Sequence, residues 1–336
     1  MIVLSLRGKQ LLAAWVKMLV VGLASCLLLL RRRRRAKCLP VVRSALRKAR
    51  GRVKKARKAL QAVVPMEGQL GGLGHAETRS MLVARQAGLA LKPVQARGLG
   101  EREVAFYEYN LMKSDLRKFL CGYHGVVDHE NFPYLCLDDA TRGKQYACAM
   151  DVKIGTKTYE EEASPEKKSR EINRYREQAT LGCRIVGMRL WDGSEFVTYD
   201  KHFGYSLKTK EHLLEAFKTF FKGNKDIMTL FLKKLQDLKD IFEANTHPFN
   251  FVSSSLLFVY DAERNNNNVE TPSIFCGGDL FGAAGPENGT IEAPNIDLRL
   301  IDFAHVRYDK RKDDGCIVGI DTLIDLFSTL LLKRPS

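Results

Sequence analysis

The sequence predicts a mixed α+β fold with either one large core or two lobes, and three observations support this prediction. Residues 150–155 (MDVKIG) alternate polar and apolar side chains, which is typical of a β-strand. Residues 300–305 (LIDFAH) begin as a second apolar strand. Residues 226–245 carry apolar side chains at the spacing of an amphipathic helix. The 336 residues, of which 45% are apolar, exceed what one small module needs.

The two strands carry the residues with the clearest chemistry. Period-2 spacing places Asp151 and Lys153 on one side of the first strand, so that a base and a cation face one ligand. Asp302 ends the second strand, where a carboxylate could hold Mg²⁺ beside a nucleotide, and His305 lies one short turn further on. Alone, the first pattern also fits an exposed salt-bridged edge strand, and the second also fits the end of a core strand. Together they indicate a phosphoryl-transfer site.

The positive charge of the chain is local. The whole sequence has a net charge of +15, but residues 1–66 contain 18 Lys and Arg and no Asp or Glu. The remaining residues therefore carry 36 bases against 39 acids, a net charge of −3. The eight cysteines form no C-x-x-C pair and no cluster at metal-ligand spacing. This pattern favours buried free thiols and a reducing cytosol or nucleus.

Residues 1–35 are predicted to be a hydrophobic leader or membrane anchor. Residues 11–30 contain one charge, Lys17, and are about as long as a membrane-spanning helix. Five arginines follow at residues 31–35, which by the positive-inside rule would keep the rest of the chain cytosolic. A cleaved targeting peptide and a mistranslated upstream extension are the alternatives.

Residues 36–64 are predicted to be a basic, poorly ordered arm. Residues 31–58 hold 15 Lys and Arg among small apolar residues, a pattern that could lie on anionic lipid or bind nucleic acid. A solvated arm fits better, because few large apolar residues accompany the charged face. We therefore expect any contact through residues 11–58 to be with an anionic membrane, and we expect no specific nucleic-acid partner.

Residues 69–74 (QLGGLG) form a glycine-rich stretch that suits a turn over phosphates or a plain hairpin loop. Residues 87–95 then predict a short strand that carries Lys92. A helix is predicted over residues 101–112, with its glutamates on a polar face. A strand lysine followed by an acidic helix is the arrangement that steadies a nucleotide lysine in many kinases, although an isolated strand lysine is commonly exposed.

Residues 132–137 (FPYLCL) predict a compact strand, and residues 138–141 turn out of it. If these residues link two lobes, their free backbone groups could bind an adenine edge.

A short basic helix is predicted after residues 150–155. Ser164 is its cap and Pro165 lies in its first turn. Lys167, Arg170 and Arg174 fall at i, i+3 and i+7, so they share one face that could hold phosphates. The alternative is simple ion pairing along the helix, for instance between Glu166 and Arg170.

The remaining elements follow from hydrophobic periodicity. We expect a hairpin from residues 181–191 and 195–199, helices over residues 211–221, 226–245 and 317–332, a strand over residues 251–260, and a disordered insertion at about residues 262–296.

These segments, in this order, resemble the inositol polyphosphate kinases. The match rests on DVKIGTKTYEEEAS, SSLLFVYD and IDFAH, with LKPVQ and ERE-x-x-FYE upstream and DDG-x-I-x-G-I-D-x-L-I downstream, and it spans about residues 65–332. In the signature P-x-x-x-D-x-K-x-G, Ala147 replaces the proline. Since that proline shapes the strand and does no chemistry, its loss bears on local rigidity more than on activity.

The resemblance implies a two-lobed kinase-like fold with ATP between the lobes. The N-terminal lobe with its hinge would cover residues 65–140, and the C-terminal lobe residues 141–332. Lys92 would hold the ATP phosphates, and backbone groups of Asp138 and Ala140 would meet the adenine. Asp302 would bind Mg²⁺.

The resemblance also implies an acceptor site and a branch of the family. Asp151 and Lys153 would contact the inositol hydroxyl and phosphates, and the substrate would also contact four further side chains: Lys167, Arg170, Arg174 and His305. The short helix after YEEEAS looks most like the multikinase branch, which accepts inositol trisphosphate and tetrakisphosphate. Alternatives are an inositol hexakisphosphate kinase and a noncatalytic membrane-associated adaptor that uses the basic arm. We expect a monomer in the cytoplasm or nucleus, with membrane anchoring as a further option.

Overall fold

The computed structural model describes residues 62–67, 70, 79–112, 114–262 and 296–332. All of them belong to one compact unit, Ala56–Ser336. The predicted leader, nearly all of the basic arm, nearly all of the glycine-rich stretch and nearly all of the insertion lie outside the described residues.

The first sheet forms the N-terminal part of the described structure. Its antiparallel strands have the order β1-β2-β3-β5-β4. Their bounds are β1 Val64–Pro65, β2 Leu82–Ala84, β3 Leu89–Pro93, β4 Tyr123–His129 and β5 Phe132–Asp138. Helix α1, Leu99–Met112, connects β3 towards β4. The predicted strand around Lys92 and the predicted strand at residues 132–137 are confirmed, while β4 was missed because its polar residues break the apolar pattern.

The second sheet provides the platform for the predicted site. Its antiparallel strands have the order β11-β10-β6-β7-β8, and β9 pairs with β12 in a separate ribbon. The bounds are β6 Ala147–Ile154, β7 Cys183–Trp191, β8 Phe196–Tyr199, β9 Phe249–Phe251, β10 Ser255–Asp261, β11 Ile296–Ile301 and β12 Val306–Tyr308. The strand with Asp151 and Lys153 is thus central, and the strand that ends before Asp302 is at the edge.

The predicted continuous strand over residues 251–260 is wrong. Phe251 pairs with Val306 in the small ribbon, whereas Ser255 pairs with Lys153 and Ile301 in the large sheet. Between them the chain turns, with Ser253 in the left-handed region at φ 62°. Apolar periodicity could not show this break, because both halves are buried.

Helices cover the second sheet. Their bounds are α2 Pro165–Arg174, α3 Gln178–Leu181, α4 Lys201–Ser206, α5 Lys210–Phe221, α6 Lys225–Ala244 and α7 Asp314–Leu332. Helices α5 and α6 begin at side-chain caps, Thr209 and Asn224, whose oxygens accept backbone N–H groups. The predicted apolar stripe of α6 is buried almost throughout, so it is core, as expected.

The core runs from the first sheet to the last helix. Buried residues of β5, α1, the second sheet and helices α5 to α7 form one hydrophobic cluster. Phe106 of α1 stacks on Phe303, just after β11, with ring centroids 4.1 Å apart. Within the described ranges, α7 is the one helix long and apolar enough to cross a membrane, but half of that stretch is buried inside the protein. Among the described residues, Cys121, Cys148, Cys183 and Cys316 are buried free thiols, as predicted.

Candidate active site

Lys92 lies at the centre of a three-residue ion-pair cluster. Its Nζ is 2.8 Å from Glu103 Oε1 and 2.6 Å from Asp302 Oδ1. Strand β3 supplies the lysine, α1 supplies the glutamate, and the residue after β11 supplies the aspartate, which is 210 positions from the lysine. Burial alone lowers the pKa of Lys92, but the two carboxylates outweigh it and hold the pKa above its usual value. The amine is therefore a fixed positive charge.

Glu103 is buried completely, so the predicted polar face of this helix is wrong for this residue, whereas Glu101 and Glu108 are exposed as predicted. Its Oε1 also accepts the backbone N–H of Phe303 at 3.1 Å. A single carboxylate oxygen thus ties α1 both to the strand lysine and to the segment that carries Asp302.

The backbone around Asp302 is held in an unusual conformation. Asp302 has φ 66°, in the left-handed region that residues other than glycine seldom adopt. The Ser254 hydroxyl donates to its carbonyl oxygen at 2.9 Å, and the neighbouring N–H is bound by Glu103. These bonds hold the backbone at Asp302, and 43% of the side chain remains exposed. Lys92 and Lys153 lower its pKa even though burial opposes this, so it is ionised.

Asp151 and Lys153 occupy adjacent same-side positions on β6, as the sequence predicts. The Asp151 side chain is 6% exposed, and its Oδ1 finds no hydrogen-bond partner among the described residues. Burial, and then repulsion from Asp302, raise the pKa of Asp151 from 3.8 to about 6. Lys153 Nζ donates to the Ser253 carbonyl at 2.8 Å, and burial lowers the pKa of Lys153.

These carboxylates fit a divalent cation that also binds phosphate. Among the described residues, no group of three or more Asp, Glu, His or Cys side chains forms a metal-binding cluster. Mg²⁺ does not need one, since it is commonly held by one or two carboxylates, phosphate oxygens and water. Asp302 offers an ionised and partly exposed carboxylate, and Asp151 offers a buried oxygen without a partner.

The predicted hinge residues follow β5. Asp138 donates its backbone N–H to the Gly122 carbonyl at 2.8 Å, so its N–H is already bound. Its carboxylate accepts from His124 Nε2 at 2.7 Å, and the Ala140 carbonyl accepts from Lys144 Nζ at 3.2 Å. The segment therefore leaves the first sheet in a fixed conformation, and its contact with adenine stays a prediction.

A basic pocket opens beside Lys153. Its cavity volume is about 180 Å³, and it opens to solvent. Its lining includes four bases, one histidine and two glutamates: Lys153, Lys167, Arg174, Arg184, His305, Glu160 and Glu171. The other lining residues are Thr158, Tyr159 and Ser253. The excess of bases suits a ligand with several negative charges.

The predicted basic helix contributes to this pocket only in part. Ser164 caps α2 and Pro165 begins it, as expected. Lys167 and Arg174 line the pocket, while Arg170 is exposed and is not among the lining residues. Arg174 pairs with Glu171 at 2.8 Å, rather than Glu166 with Arg170. Substrate contacts of all three bases stay predictions.

Glu160 connects His305 to helix α1 and to strand β12. The carboxylate accepts from Arg102 of α1 at 2.6 Å, from His305 Nδ1 at 2.8 Å and from Arg307 of β12 at 2.6 Å. Burial would raise the pKa of Glu160, but these partners lower it to about 2. Gly155, with φ 100°, lets the chain leave β6 and reach this position.

The structure therefore brings together Lys92, Asp151, Lys153 and Asp302, with His305 in the adjoining pocket. Sequence reasoning missed three polar contributors: Glu103 as a buried partner, Glu160 and Arg184. The sequence did indicate the last one, because Arg184 is one of only two bases in an otherwise apolar strand.

Comparisons with known proteins agree with this geometry. The sequence profile of the family described as inositol polyphosphate kinase matches residues 134–328. Inositol polyphosphate multikinase from Homo sapiens is 32% identical over 218 residues, which cover 60% of this chain and 52% of the relative. Inositol hexakisphosphate kinase 1 from Rattus norvegicus is 27% identical over 229 residues, which cover 60% and 53%. The chain spans about half the length of the curated relatives it matches.

Solved structures share the fold. The inositol phosphate multikinase of S. cerevisiae, determined in complex with ADP and Mn²⁺, aligns with a TM-score of 0.57 and 23% identity, over 72% of this chain and 99% of that one. Another inositol phosphate multikinase structure aligns with a TM-score of 0.51 and 21% identity, over 68% and 99%. The predicted α+β kinase-like fold is confirmed.

Proposed function

Because this chain belongs to the inositol polyphosphate kinase family, we propose that it transfers the terminal phosphate of ATP to a hydroxyl group of a soluble inositol polyphosphate. One observation carries the proposal: the Lys92 amine, held between Glu103 and Asp302, is linked through the Asp302 carboxylate to Asp151 and Lys153, and Lys153 lines the basic pocket. Lys92 and Asp302 would bind the nucleotide and its metal, while Asp151 and the basic pocket would bind the acceptor.

The nucleotide side uses Lys92 and Asp302. Lys92 would bind ATP phosphates, and Asp302 would hold Mg²⁺, with the unpartnered oxygen of Asp151 close by. Bound ATP would supply the phosphoryl group, and Mg²⁺ would offset its negative charge. Glu103 positions the lysine and keeps Asp302 in place through the Phe303 N–H, so the chain itself prearranges this side.

The acceptor side uses Asp151 as a general base. Its carboxylate takes the proton of the acceptor hydroxyl as the new bond to phosphorus forms. A pKa of about 6 lies close to the working pH, which makes the group a better base than an ordinary aspartate and still leaves it ionised near pH 7. Lys153, on the same side of β6, holds the acceptor's negative charge.

The substrate class follows from the charge of the pocket. A pocket lined by Lys153 and the buried Arg184 favours an anionic ligand, and a polyphosphate supplies the negative charge that a neutral sugar alcohol lacks. The higher identity to multikinase, 32% against 27% for a hexakisphosphate kinase, supports inositol trisphosphate and tetrakisphosphate as acceptors.

A product map tests the proposal. The full chain is incubated with radiolabelled ATP, Mg²⁺ and a panel of inositol phosphates, beside Asp302→Ala and a control, Asp240→Ala, at an exposed position on α6. We expect labelled tetrakis- and pentakisphosphate from the wild type and the control, and none from Asp302→Ala. Labelled pyrophosphate products from the hexakisphosphate would instead assign the other branch. Binding of ATP without transfer to any acceptor would refute the kinase and favour an adaptor.

The location of the enzyme is a separate proposal. The buried free thiols of Cys121, Cys148, Cys183 and Cys316 in the described structure support a reducing compartment, the cytosol or the nucleus. Membrane contact through residues 11–58 would be detected by cosedimentation of the full chain with vesicles of anionic phospholipid, and a vesicle of neutral lipid is the control.

A further inference from the structure

Arg299 joins the edge strand of the second sheet to the chain that leads into the first sheet. It lies on β11, and its Nη1 donates to the backbone carbonyls of Leu120 at 2.9 Å and Lys118 at 3.2 Å. Lys118 belongs to a 3-10 helix, Asp115–Phe119, and Leu120 follows it just before β4. The Arg299 Nε donates to Asp297 Oδ2 at 2.8 Å, which holds the planar guanidinium in one orientation.

This contact is charge-assisted and largely shielded from water. The Arg299 side chain is 28% exposed. Burial lowers the pKa of Arg299, but Asp297 outweighs this effect, with a smaller contribution from Asp138, and the pKa lies above its usual value. The guanidinium is therefore always charged, and hydrogen bonds from a charged donor are stronger than those from a neutral one.

Apolar packing completes the attachment of the same segment. Leu116 and Phe119 of the 3-10 helix are buried in the core cluster that includes the second sheet, while Arg117 and Lys118 between them are exposed. The 3-10 helix is thus fixed on the side of the second sheet, although the strand that follows it, β4, belongs to the first.

The chain that Arg299 holds continues into the residues that support the predicted hinge. Two positions after Leu120, the Gly122 carbonyl accepts the backbone N–H of Asp138 at 2.8 Å. His124 Nε2 lies 2.7 Å from Asp138 Oδ1. A Cβ at Gly122 would lie 2.1 Å from Asp138 Oδ2, so the carboxylate rests directly on the glycine backbone. A shift of the Lys118–Leu120 backbone would therefore displace Asp138 as well.

We propose that Arg299 is a positioning residue for the nucleotide: it holds the Lys118–Leu120 backbone and, through Gly122, keeps the hinge residue Asp138 where the adenine binds. This inference rests on the proposed function and adds a residue to it. Arg299 acts through the hinge and touches no substrate. Strand β11 then serves both ends of ATP, because Asp302, which would hold the metal beside the phosphates, directly follows the strand.

Arg299→Met tests this role, because methionine keeps an unbranched side chain and removes the donors. Calorimetry on the full chain, without acceptor, compares ATP with inorganic tripolyphosphate, each with Mg²⁺; the second ligand has the phosphates and no adenine. We expect the Kd for ATP to rise by about 10-fold, as for loss of a charged hydrogen bond. The Kd for tripolyphosphate should stay as in the wild type, because Lys92 and Asp302 are unchanged, and so should the Kd for inositol trisphosphate.

Arg117→Met is the matched control. Arg117 lies at an exposed position of the same 3-10 helix, so its substitution removes the same charge close by and should leave all three Kd values unchanged. Arg299→Lys keeps the charge but cannot bind the carbonyls and Asp297 from one planar group, so its Kd for ATP should fall between those of Arg299→Met and the wild type.

Two results would overturn the proposal. One is an unchanged Kd for ATP in Arg299→Met, and the other is an equal weakening of ATP and tripolyphosphate, which would show general damage to the cleft. If Arg299→Met does not fold, Arg299→Lys decides by the same two criteria. A wild-type protein that binds ATP, responds to Arg299→Met as expected and yet phosphorylates no acceptor would refute the kinase function and leave this role of Arg299 standing.

Discussion

Replacing Asp151 by Asn should make the ligand-free protein more stable while it abolishes phosphoryl transfer. Burial, and then repulsion from Asp302, raise the pKa of Asp151 from 3.8 to about 6, and its Oδ1 accepts no hydrogen bond in the described structure. A rise of roughly 2 pKa units corresponds to about 3 kcal/mol of unfavourable free energy in the ionised native state. Asparagine has the same shape and no charge, so it removes this cost.

The sign of the pH dependence follows from proton binding. Between pH 3.8 and about 6 the native carboxyl holds its proton while the unfolded one has lost it, so the wild-type free energy of unfolding falls as pH rises. Above the pKa of Asp151 in the native state, the full free-energy cost of its buried charge is present. Below its pKa in the unfolded state, this cost vanishes. The stability gain of Asp151→Asn should therefore be near zero at about pH 3.5 and reach about 3 kcal/mol at about pH 8.

Urea unfolding of the two ligand-free proteins across this pH range measures the difference directly, with Asp240→Asn on the exposed side of α6 as control. A difference between Asp151→Asn and the wild type that stays constant with pH, or a variant less stable than the wild type at pH 8, would refute the electrostatic reasoning. Activity is assayed in parallel, because the same substitution removes the general base.

Further predictions concern the other polar contacts. Glu103→Gln should lower kcat/KM for ATP by about 10-fold to 100-fold, because Lys92 loses a charged partner, and an unchanged value in steady-state kinetics would contradict this. A pH profile of kcat/KM should rise to a plateau above about pH 6 as Asp151 loses its proton, and a flat profile between pH 5 and 8 would exclude Asp151 as the base. Glu160→Gln should raise the KM for inositol trisphosphate several-fold with little change for ATP, since His305 and its neighbours lose a shared acceptor, whereas Glu162→Gln at an exposed position should not. Removal of residues 1–61 should leave kcat unchanged and abolish sedimentation with anionic vesicles, and lost turnover would show that this segment belongs to the enzyme.

The parts of the site that sequence could predict are those that local pattern determines. Strand periodicity placed Asp151 and Lys153 on one side of β6, and the apolar segment before Asp302 placed that residue at a strand end. The strand predicted over residues 87–95 also placed Lys92. The family resemblance then supplied the common cleft, since periodicity says nothing about which strands meet.

The parts that sequence could not predict depend on distant partners. Glu103 is one of several glutamates on α1, and only contact with Lys92 and with Phe303, 200 positions away, makes it buried. Glu160 is likewise chosen among neighbouring glutamates by His305, 145 positions away. Local hydrophobicity treats such residues alike, because it carries no information about a counter-charge brought by the fold.

Helix α1 gives the two halves of the cleft a shared mechanical support. Its consecutive residues Arg102 and Glu103 bind different sites: Glu103 holds Lys92 on the nucleotide side, and Arg102 holds Glu160 on the acceptor side. A shift of this helix would disturb both contacts at once. In the proposed reaction, the two substrate sites would therefore be coupled through one element, even though their side chains come from different strands.

The site also places like charges together twice. Asp151 and Asp302 repel each other, and Lys153 and Arg184 stand opposed across two strands. In the proposed reaction, a bound cation would relieve the repulsion between the carboxylates, and the negative charge of the acceptor would relieve the repulsion between the bases. Lys153 belongs to both arrangements, because its charge also attracts the carboxylates of Asp151 and Asp302. Both repulsions would therefore be relieved only when the metal, the nucleotide and the polyanionic acceptor are bound together, which would favour the complete reactant complex over any partial one.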